Sequence, residues 1–500
     1  MTLSFVDTPL PEEVPALGPR TDAWNPALDP ALFASPGSEN AIARLRLPGA
    51  LVVTTGQQPG LFTGPGYAIT KALSARALAL ALEQRWQRPV VPVYWVPGDD
   101  HDLHEVATVT WLNGEGELRS ASLAPRAPDA PLTPMWRQPL GEEVLSALHE
   151  FEDSFAATPE RNTTVEWLRR HYCPDATVSA AYGAAMAELL GPFGVVCLDG
   201  AHPAVKRAAA GLVLEVLDHG ADLERELVEL ARDLTAAGRD PGVPVGDGAT
   251  PVFLDGPLGR DRLVRDGGSD RYHLRRSRAT IGRDEIARIV ETDPVRVSGN
   301  VLLRPVLESA VLPTVGYVAG PAELRYLALT APIYRRLGIT RQAAVPRWSG
   351  LIVEPRVTRV LRKYAAGVDE ILADGHLEAR IARQALPDST DTRFDALREA
   401  IERGYQPVIE VARDVDPTME RPAASAKGQA LFGLEELRKR LLQHARKRES
   451  VELGQVARAR LSVRPHGKPQ ERVLTMAGFL ARYGPGLLGE LAAHIARWYG

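Results

Sequence analysis

The sequence predicts an α/β protein with a Rossmann-like core of parallel strands, followed by a region of long charged helices. Three observations carry this. Apolar runs at 50–53, 90–96 and 195–198 have the length and composition of strands buried on both faces. Between the first two, Ile69, Leu73, Ala77 and Leu80 recur at helical spacing, the mark of a helix with one buried face. Beyond residue 355, apolar residues step by threes and fours between charges, in narrow seams.

The first forty-odd residues, rich in proline and in acidic residues such as Glu12 and Glu13, read as an irregular arm. The run Ala50 to Val53, a glycine-rich turn, a helix from Tyr67 to about Glu83 and the run Val90 to Val96 form a βαβ unit, whose crossover should be right-handed. A polar, proline-rich patch near 120–140 leads to helices at about 141–156 and 163–172. Val195 to Leu198 adds a core strand, and Pro203 to about Ala237 reads as one long helix. From Pro241 to Asp293 the chain has Pro, Gly and Asp clusters, a short strand at Val252 to Leu254, and a basic run of Arg275, Arg276 and Arg278 expected on a solvated face. This stretch reads as an insertion, and core-like strands and loops resume from Val301 to Trp348.

Phe394, Leu397, Ile401, Tyr405 and Val408 form one seam, and Leu431, Leu434, Leu437 and Leu441 a second, flanked by Glu435, Glu436, Arg438, Lys439 and Arg440. Prolines at 387, 417 and 422 predict breaks. Such seams suggest a coiled-coil arm and, through it, a homodimer; helices packed on the core are the alternative. Arg464 to Gly500 returns to a globular pattern. The expected organisation is a core over 1–355 with a connective insertion at about 205–295, a helical domain over 356–460, and a segment at 461–500 packing back on the core.

A chain of 500 residues exceeds one hydrophobic core and, at roughly 150 residues per domain, suggests two to four units. Its 45% apolar and 24% charged content excludes disorder. A net charge of −4 gives no footprint for nucleic acid. Of two cysteines, Cys197 sits in an apolar run and Cys173 follows His171 with no base at a useful spacing. A disulfide framework is therefore not expected, and two separated thiols are too few for a structural zinc, so no metal is predicted. The start of the chain lacks the pattern of a signal peptide, and no stretch has the roughly 18 apolar residues of a membrane span. The expectation is a cytoplasmic protein, off the membrane.

Three segments can carry chemistry. Thr55 to Tyr67, TGQQPGLFTGPGY, joins the first strand to its helix, where backbone amides suit a phosphate or carboxylate. Thr55, Gly56, Gln57, Gln58, Thr63, Gly64, Tyr67 and Lys71 are its candidate binding residues, with a ligand-free tight turn as the other reading. Val96 to Val106, VPGDDHDLHEV, crowds Asp99, Asp100, His101, Asp102, His104 and Glu105 at the same sheet edge. Asp100 and His101 are the candidate catalytic pair; carboxylates around the ring should raise its pKa. A zinc or manganese site and a solvated acidic loop are the other readings. Gly299 to Leu327 sets Asn300, Arg304, Glu308 and Glu323 among apparently apolar strands. An arginine there needs a carboxylate or a ligand, and Glu323 could hold a substrate amine or complement a helix dipole.

Taken together, TGQQPGLFTGPGY with Lys71, WVPGDDHDLHEV, NVLLRP…LPTVGYVAGPAEL and RPHGKPQERV resemble, in order and spacing over nearly the whole chain, the cysteine-adding enzymes of bacillithiol biosynthesis (BshC). The resemblance implies a Rossmann-like nucleotidyltransferase core related to class I aminoacyl-tRNA synthetases, a connective insertion, and a coiled-coil domain that mediates dimerisation. It implies a cysteine ligase that joins L-cysteine to the amine of glucosaminyl malate as an amide. Two departures stand out. The synthetase His-x-Gly-His position reads Thr63-Gly64-Pro65-Gly66-Tyr67, and no Lys-Met-Ser-Lys-Ser loop occurs. An amide needs an activated carboxyl, for which ATP or another nucleotide is chemically sensible, although these residues do not encode it. Another nucleotidyltransferase or amide ligase on the same core, or a non-catalytic dimeric scaffold, are the alternatives.

Overall fold

The computed structural model describes residues 3–8, 17–267, 271–373 and 375–499; Glu12 and Glu13 lie outside them. The chain forms two compact units, one of Phe5–Leu351 with Lys468–Gly500 and one built on Ile352–Gly467.

The first unit is organised by a six-stranded sheet. Its strands are β1 (Leu32–Phe33), β2 (Leu51–Gly56), β3 (Val90–Val96), β4 (Val196–Asp199), β10 (Thr314–Ala319) and β11 (Ala343–Pro346), in the order β11-β10-β2-β3-β4-β1. Pairing is parallel throughout except at β1, which runs antiparallel to β4 at the edge. Strands β2 and β3 are buried along their whole length, as continuous apolar runs require. The N-terminal region is therefore more than an arm. After the 3-10 turn Pro26–Ala31 it supplies β1 and the helix Glu39–Leu45, and Trp24, Leu28 and Leu45 are buried.

Helix α1 (Tyr67–Trp86) packs on β2, β3 and the C-terminal helix Gly486–Tyr499. Its alanines make it narrow enough to be covered on most sides. In its second half the buried stripe runs through Ala75, Leu78, Ala79 and Leu82, while Leu80, expected inside, is 43% exposed. An alanine-rich helix leaves the direction of its apolar face poorly marked in sequence.

The stretch expected as one long helix from Pro203 is two, α2 (Pro203–Asp218) and α3 (Gly220–Ala236), divided where His219 leaves helical geometry before a poor helix former, Gly220. The following insertion is an antiparallel lobe. Its strands β5 (Ala249–Gly256), β6 (Gly259–Arg265), β7 (Arg271–Leu274), β8 (Thr280–Gly282) and β9 (Val297–Gly299) lie in the order β8-β7-β6-β5-β9. They close over α2, α3 and the helix Arg283–Thr292 around Leu254, Leu263, Tyr272 and Ile286. Arg275, Arg276 and Arg278 are exposed on this lobe. Arg304 and Glu308, expected on strands, lie on a helix, α4 (Arg304–Val311). Pro305 at its start and the Asn300 side chain, accepting from the Leu302 and Leu303 amides, initiate it.

In the second unit, α5 (Thr390–Val415) and α6 (Glu420–Arg448) form an antiparallel hairpin turned at Pro417–Met419 and cross-linked by Arg398–Glu435 and Arg438–Asp391. Pro422 does not break α6, because it falls in the first turn, where a missing N–H costs no helical bond. None of α5 is buried, and α6 buries Leu434 and Ala445. No helix among the described residues is long and apolar enough to cross a membrane.

Candidate active site

A cavity of about 530 Å³ lies at the carboxyl edge of the large sheet. Each of the five parallel strands delivers to it the residues that immediately follow: Gln57 and Gln58 after β2, Pro97 after β3, Gly200 after β4, Gly320 after β10 and Arg347 after β11. Doubly wound sheets bind ligands at this edge. The facing wall comes from the lobe and α4: Phe253, Arg260, Arg262, Asn300 and Arg304. All of these residues belong to the first unit.

A buried polar network lies under the sheet side. The fully buried Lys71 Nζ donates to the Gly56 carbonyl at 2.5 Å and to Glu323 Oε2 at 2.6 Å. The Gly320 amide donates to the same oxygen at 2.8 Å, and the Tyr317 hydroxyl donates to Glu323 Oε1 at 2.6 Å. Burial drives the Lys71 pKa down while Glu323 opposes it. Burial would raise Glu323, but Lys71, Tyr317 and the Gly320 amide outweigh it and hold the carboxyl below its ordinary value. Arg304 extends the network, donating to Tyr317 at 3.0 Å and to Glu308 Oε2 at 2.9 Å. Glu308 is fully buried, its Oε1 has no hydrogen-bond partner among the described residues, and burial pushes its pKa to about 7. Glu323 is thus already neutralised by Lys71, and Arg304 has its carboxylate within its own helix.

The acidic loop meets the glycine-rich loop directly, for Gln58 Nε2 donates to Asp100 Oδ2 at 2.5 Å. Asp100 Oδ1 accepts from the His101 and Asp102 amides at 2.6 and 3.2 Å. Burial works to raise the Asp100 pKa; Arg260, Gln58 and the Asp102 amide overcome it, and the group is held below its usual value. Asp99 pairs with Lys206 at 2.5 Å.

His101 reverses its expected behaviour. Its Nδ1 lies 3.1 Å from Arg260 Nη1, and a guanidinium only donates, so Nδ1 accepts and the ring proton sits on Nε2. Burial first, and Arg260 second, lower its pKa to about 4, against the weaker upward pull of Asp100 and Asp102. The imidazole is neutral at pH 7 and stands outside the cavity lining. Sequence places only carboxylates beside it; the decisive charge arrives from β6, 159 positions away.

Of the other predicted residues, Gly56, Gln57, Gln58, Tyr67, Lys71, Asp100, Asn300, Arg304 and Glu323 line the cavity. Thr55, Thr63 and Gly64 do not. Thr55 Oγ1 donates to the Val318 carbonyl at 2.8 Å, and Thr63 uses its amide on the Tyr172 hydroxyl at 2.7 Å. Gly64 has φ +66° and ψ −160°, a region open essentially to glycine, and packs against Gly60. The amide of Gly66, expected to face an anion at the start of α1, donates to the Leu474 carbonyl at 2.8 Å. Gly66 therefore serves the seating of the C-terminal segment, and Gly64 the turn that leads to it.

Reading the sequence missed Lys206, Arg260, Arg262, Arg347 and Arg472, all in the lining. One signal existed: Arg260 and Arg262 are two apart on a strand, hence on one face. Cys197 is buried and Cys173 exposed. No group of three or more His, Cys, Asp or Glu side chains able to hold a metal occurs among the described residues. The lining carries seven cations (Lys71, Lys206, Arg260, Arg262, Arg304, Arg347, Arg472) against four carboxylates (Asp99, Asp100, Glu105, Glu323). Arg304 and Arg347 are paired with Glu308 and Glu471 outside it, and Arg260, Arg262 and Arg472, which form no ion pair among the described residues, leave it favourable to anionic ligands.

Comparison with known proteins agrees with this architecture. Residues 31–348 match the family described as "Bacillithiol biosynthesis BshC, N-terminal Rossmann-like domain", and residues 350–497 match "Bacillithiol biosynthesis BshC, C-terminal coiled-coil domain". A protein of Koribacter versatilis named "Putative cysteine ligase BshC" is 31% identical over 93% of this chain and 85% of its own. Proteins with the same name from Heliobacterium modesticaldum and Symbiobacterium thermophilum are each 30% identical, over 92% and 93% of this chain and 85% of each relative.

Proposed function

The chain belongs to the BshC family of bacillithiol biosynthesis, and we propose that it is a ligase joining L-cysteine to the amine of glucosaminyl malate, in the cytoplasm, as the last step of that pathway. The observation that carries the reading is the cavity where five parallel strands end, with a cationic excess beside an ionised Asp100. A substrate that is part amine and part dicarboxylate finds both signs of charge there.

In this reading Asp100 orients the acceptor amine. Its carboxylate is held ionised, which suits attraction of an ammonium better than storage of its proton. His101 is a positioning residue that accepts from Arg260 and fixes the guanidinium beside Asp100. Glu105 and Arg472, whose side chains have no partner among the described residues, both act on Tyr67 and supply one charge each for the ammonium and carboxylate of an amino acid. Amide formation requires an activated carboxyl, so ATP or another nucleotide is the proposed co-substrate. The cationic lining suits its charge, whereas the start of α1 offers no phosphate cradle, its Gly66 amide being spent on Leu474.

The hairpin of the second unit supports a homodimer. Leu397 is 49%, Val408 55%, Val411 63% and Val415 79% exposed, and their spacing sets them on one side of α5, an apolar face of the kind coiled coils bury. Incubating the purified protein with L-cysteine, glucosaminyl malate and ATP, with mass spectrometry of the products, tests the proposed activity. The amide is expected, and its absence with each nucleoside triphosphate tried would overturn the reading.

A further inference from the structure

Phe253, on β5, carries two guanidinium groups. Arg260 lies 4.0 Å and Arg262 5.0 Å from its ring centroid. Two like charges on one ring repel and need compensation. Arg260 has it: Nε donates to Ser298 Oγ at 2.9 Å, Nη2 to the Gly299 carbonyl at 2.9 Å, and Asp99 and Asp100 act on it electrostatically. Arg262 has none. Its guanidinium makes no hydrogen bond or ion pair among the described residues, and burial, Arg275 and Arg260 all disfavour its charge. It is half-buried and lines the cavity. A half-buried, unpaired cation sharing an aromatic ring with a second cation is an arrangement that an anionic ligand would relieve.

The wall around it favours a planar anion. The Asn300 amide is spent on the Pro251 carbonyl, and the Leu302 and Leu303 amides on the Asn300 side chain, so no nest of free N–H groups is left for a phosphate. Val290, Pro294 and Val297 make the rest of this wall apolar. What remains is a guanidinium fork, whose geometry matches a carboxylate in a bidentate pair.

We infer that Arg262, on the Phe253 platform, is the specificity residue for a carboxylate of the acceptor, so that the antiparallel lobe selects the malyl end while the sheet edge holds the reacting groups; this rests on the acceptor being glucosaminyl malate. Arg278, exposed on the same lobe and not among the charges acting on Arg262, serves as the control.

Arg262→Gln is compared with the parent, Arg262→Lys and Arg278→Gln, all as full chains. Two arms are run: kinetics with glucosaminyl malate and L-cysteine, and calorimetric binding of glucosaminyl malate, methyl glucosaminide and a non-hydrolysable ATP analogue. A hydrogen-bonded charge pair lost in a partly buried site corresponds to about a 10- to 100-fold effect. Arg262→Gln should raise KM and Kd for glucosaminyl malate by about that much, and leave the KM for cysteine and the binding of methyl glucosaminide unchanged. Arg262→Lys should recover part of the loss, keeping charge without the fork, and Arg278→Gln should match the parent. If the parent shows no ligase activity, the proposed function fails, and the binding arm still decides this inference. Unchanged glucosaminyl malate binding in Arg262→Gln, no binding to the parent, or weakening of the ATP analogue alone would each overturn it.

Discussion

The two units use their charged and apolar residues in opposite ways. In the first, Lys71 and Glu308 are fully buried inside an α/β core and linked through Tyr317, Arg304 and Glu323. In the second, α5 buries nothing, and valines, leucines and a phenylalanine face outward. The contrast teaches where each unit is vulnerable. Buried charges that satisfy one another make the core intolerant of single changes, since removing one partner strands the next. An outward apolar face adds little to the unit that carries it and is available for association.

The comparison breaks first, if it breaks, at Lys71. Lys71→Met leaves Glu323 buried without its cation and should cost about 3–5 kcal/mol of unfolding free energy, read from denaturant melts. Adding Glu323→Gln should restore part of it. A variant that melts like the parent would show that the core network is dispensable.

A smaller effect separates seating from binding. Gly64→Ala forces an alanine into a glycine-only backbone region and should cost about 1–3 kcal/mol, with KM values close to the parent's. A change in KM without loss of stability would return the glycine loop to ligand contact.

His101 sharpens the account of the core by pH. Its folded pKa, about 4, lies below the unfolded value near ~6.5, so between those limits the unfolded chain binds more protons. The folded state is therefore fully favoured above pH ~6.5 and loses on the order of 2 kcal/mol as pH falls towards 4. His101→Gln, which does not titrate, should show a flatter stability profile over that window in urea melts at stepped pH. An identical slope would mean that burial and the Arg260 contact do not hold the ring neutral.

The smallest stability effect is expected on the hairpin. Leu397→Glu with Val408→Glu should shift unfolding by no more than about 0.5 kcal/mol per site when measured on monomer, while light scattering is expected to report the loss of the proposed dimer. A large loss of helical content would show that this face is packed within its own unit, contrary to the comparison.

Much of the architecture was legible from the chain. Val90 to Val96 and the run before Gly56 read as strands buried on both faces from their length and composition, and the seams around Leu397 and Leu437 as long helices from their spacing, because these are local properties that survive without knowledge of neighbours. The convergence of Gln58 and Asp100 also followed locally, both lying just past adjacent parallel strands. Less was legible where residue type had two outlets: the alanine-rich α1 hid its buried stripe, and Arg304 and Glu308 looked like interruptions of a strand until they paired four apart on a helix.

By itself, then, the sequence determined the βαβ core, the edge of the sheet where ligands collect, and the seams of the hairpin. Only the tertiary structure decided what the conspicuous residues do. The C-terminal segment occupies the start of α1 through Leu474, and burial, with Arg260 crossing from the lobe, keeps His101 neutral. The reason is physical. Secondary structure answers to neighbours a few residues away, whereas a pKa, an occupied amide or an unpaired guanidinium depends on whichever groups folding brings within a few ångströms, at any separation along the chain.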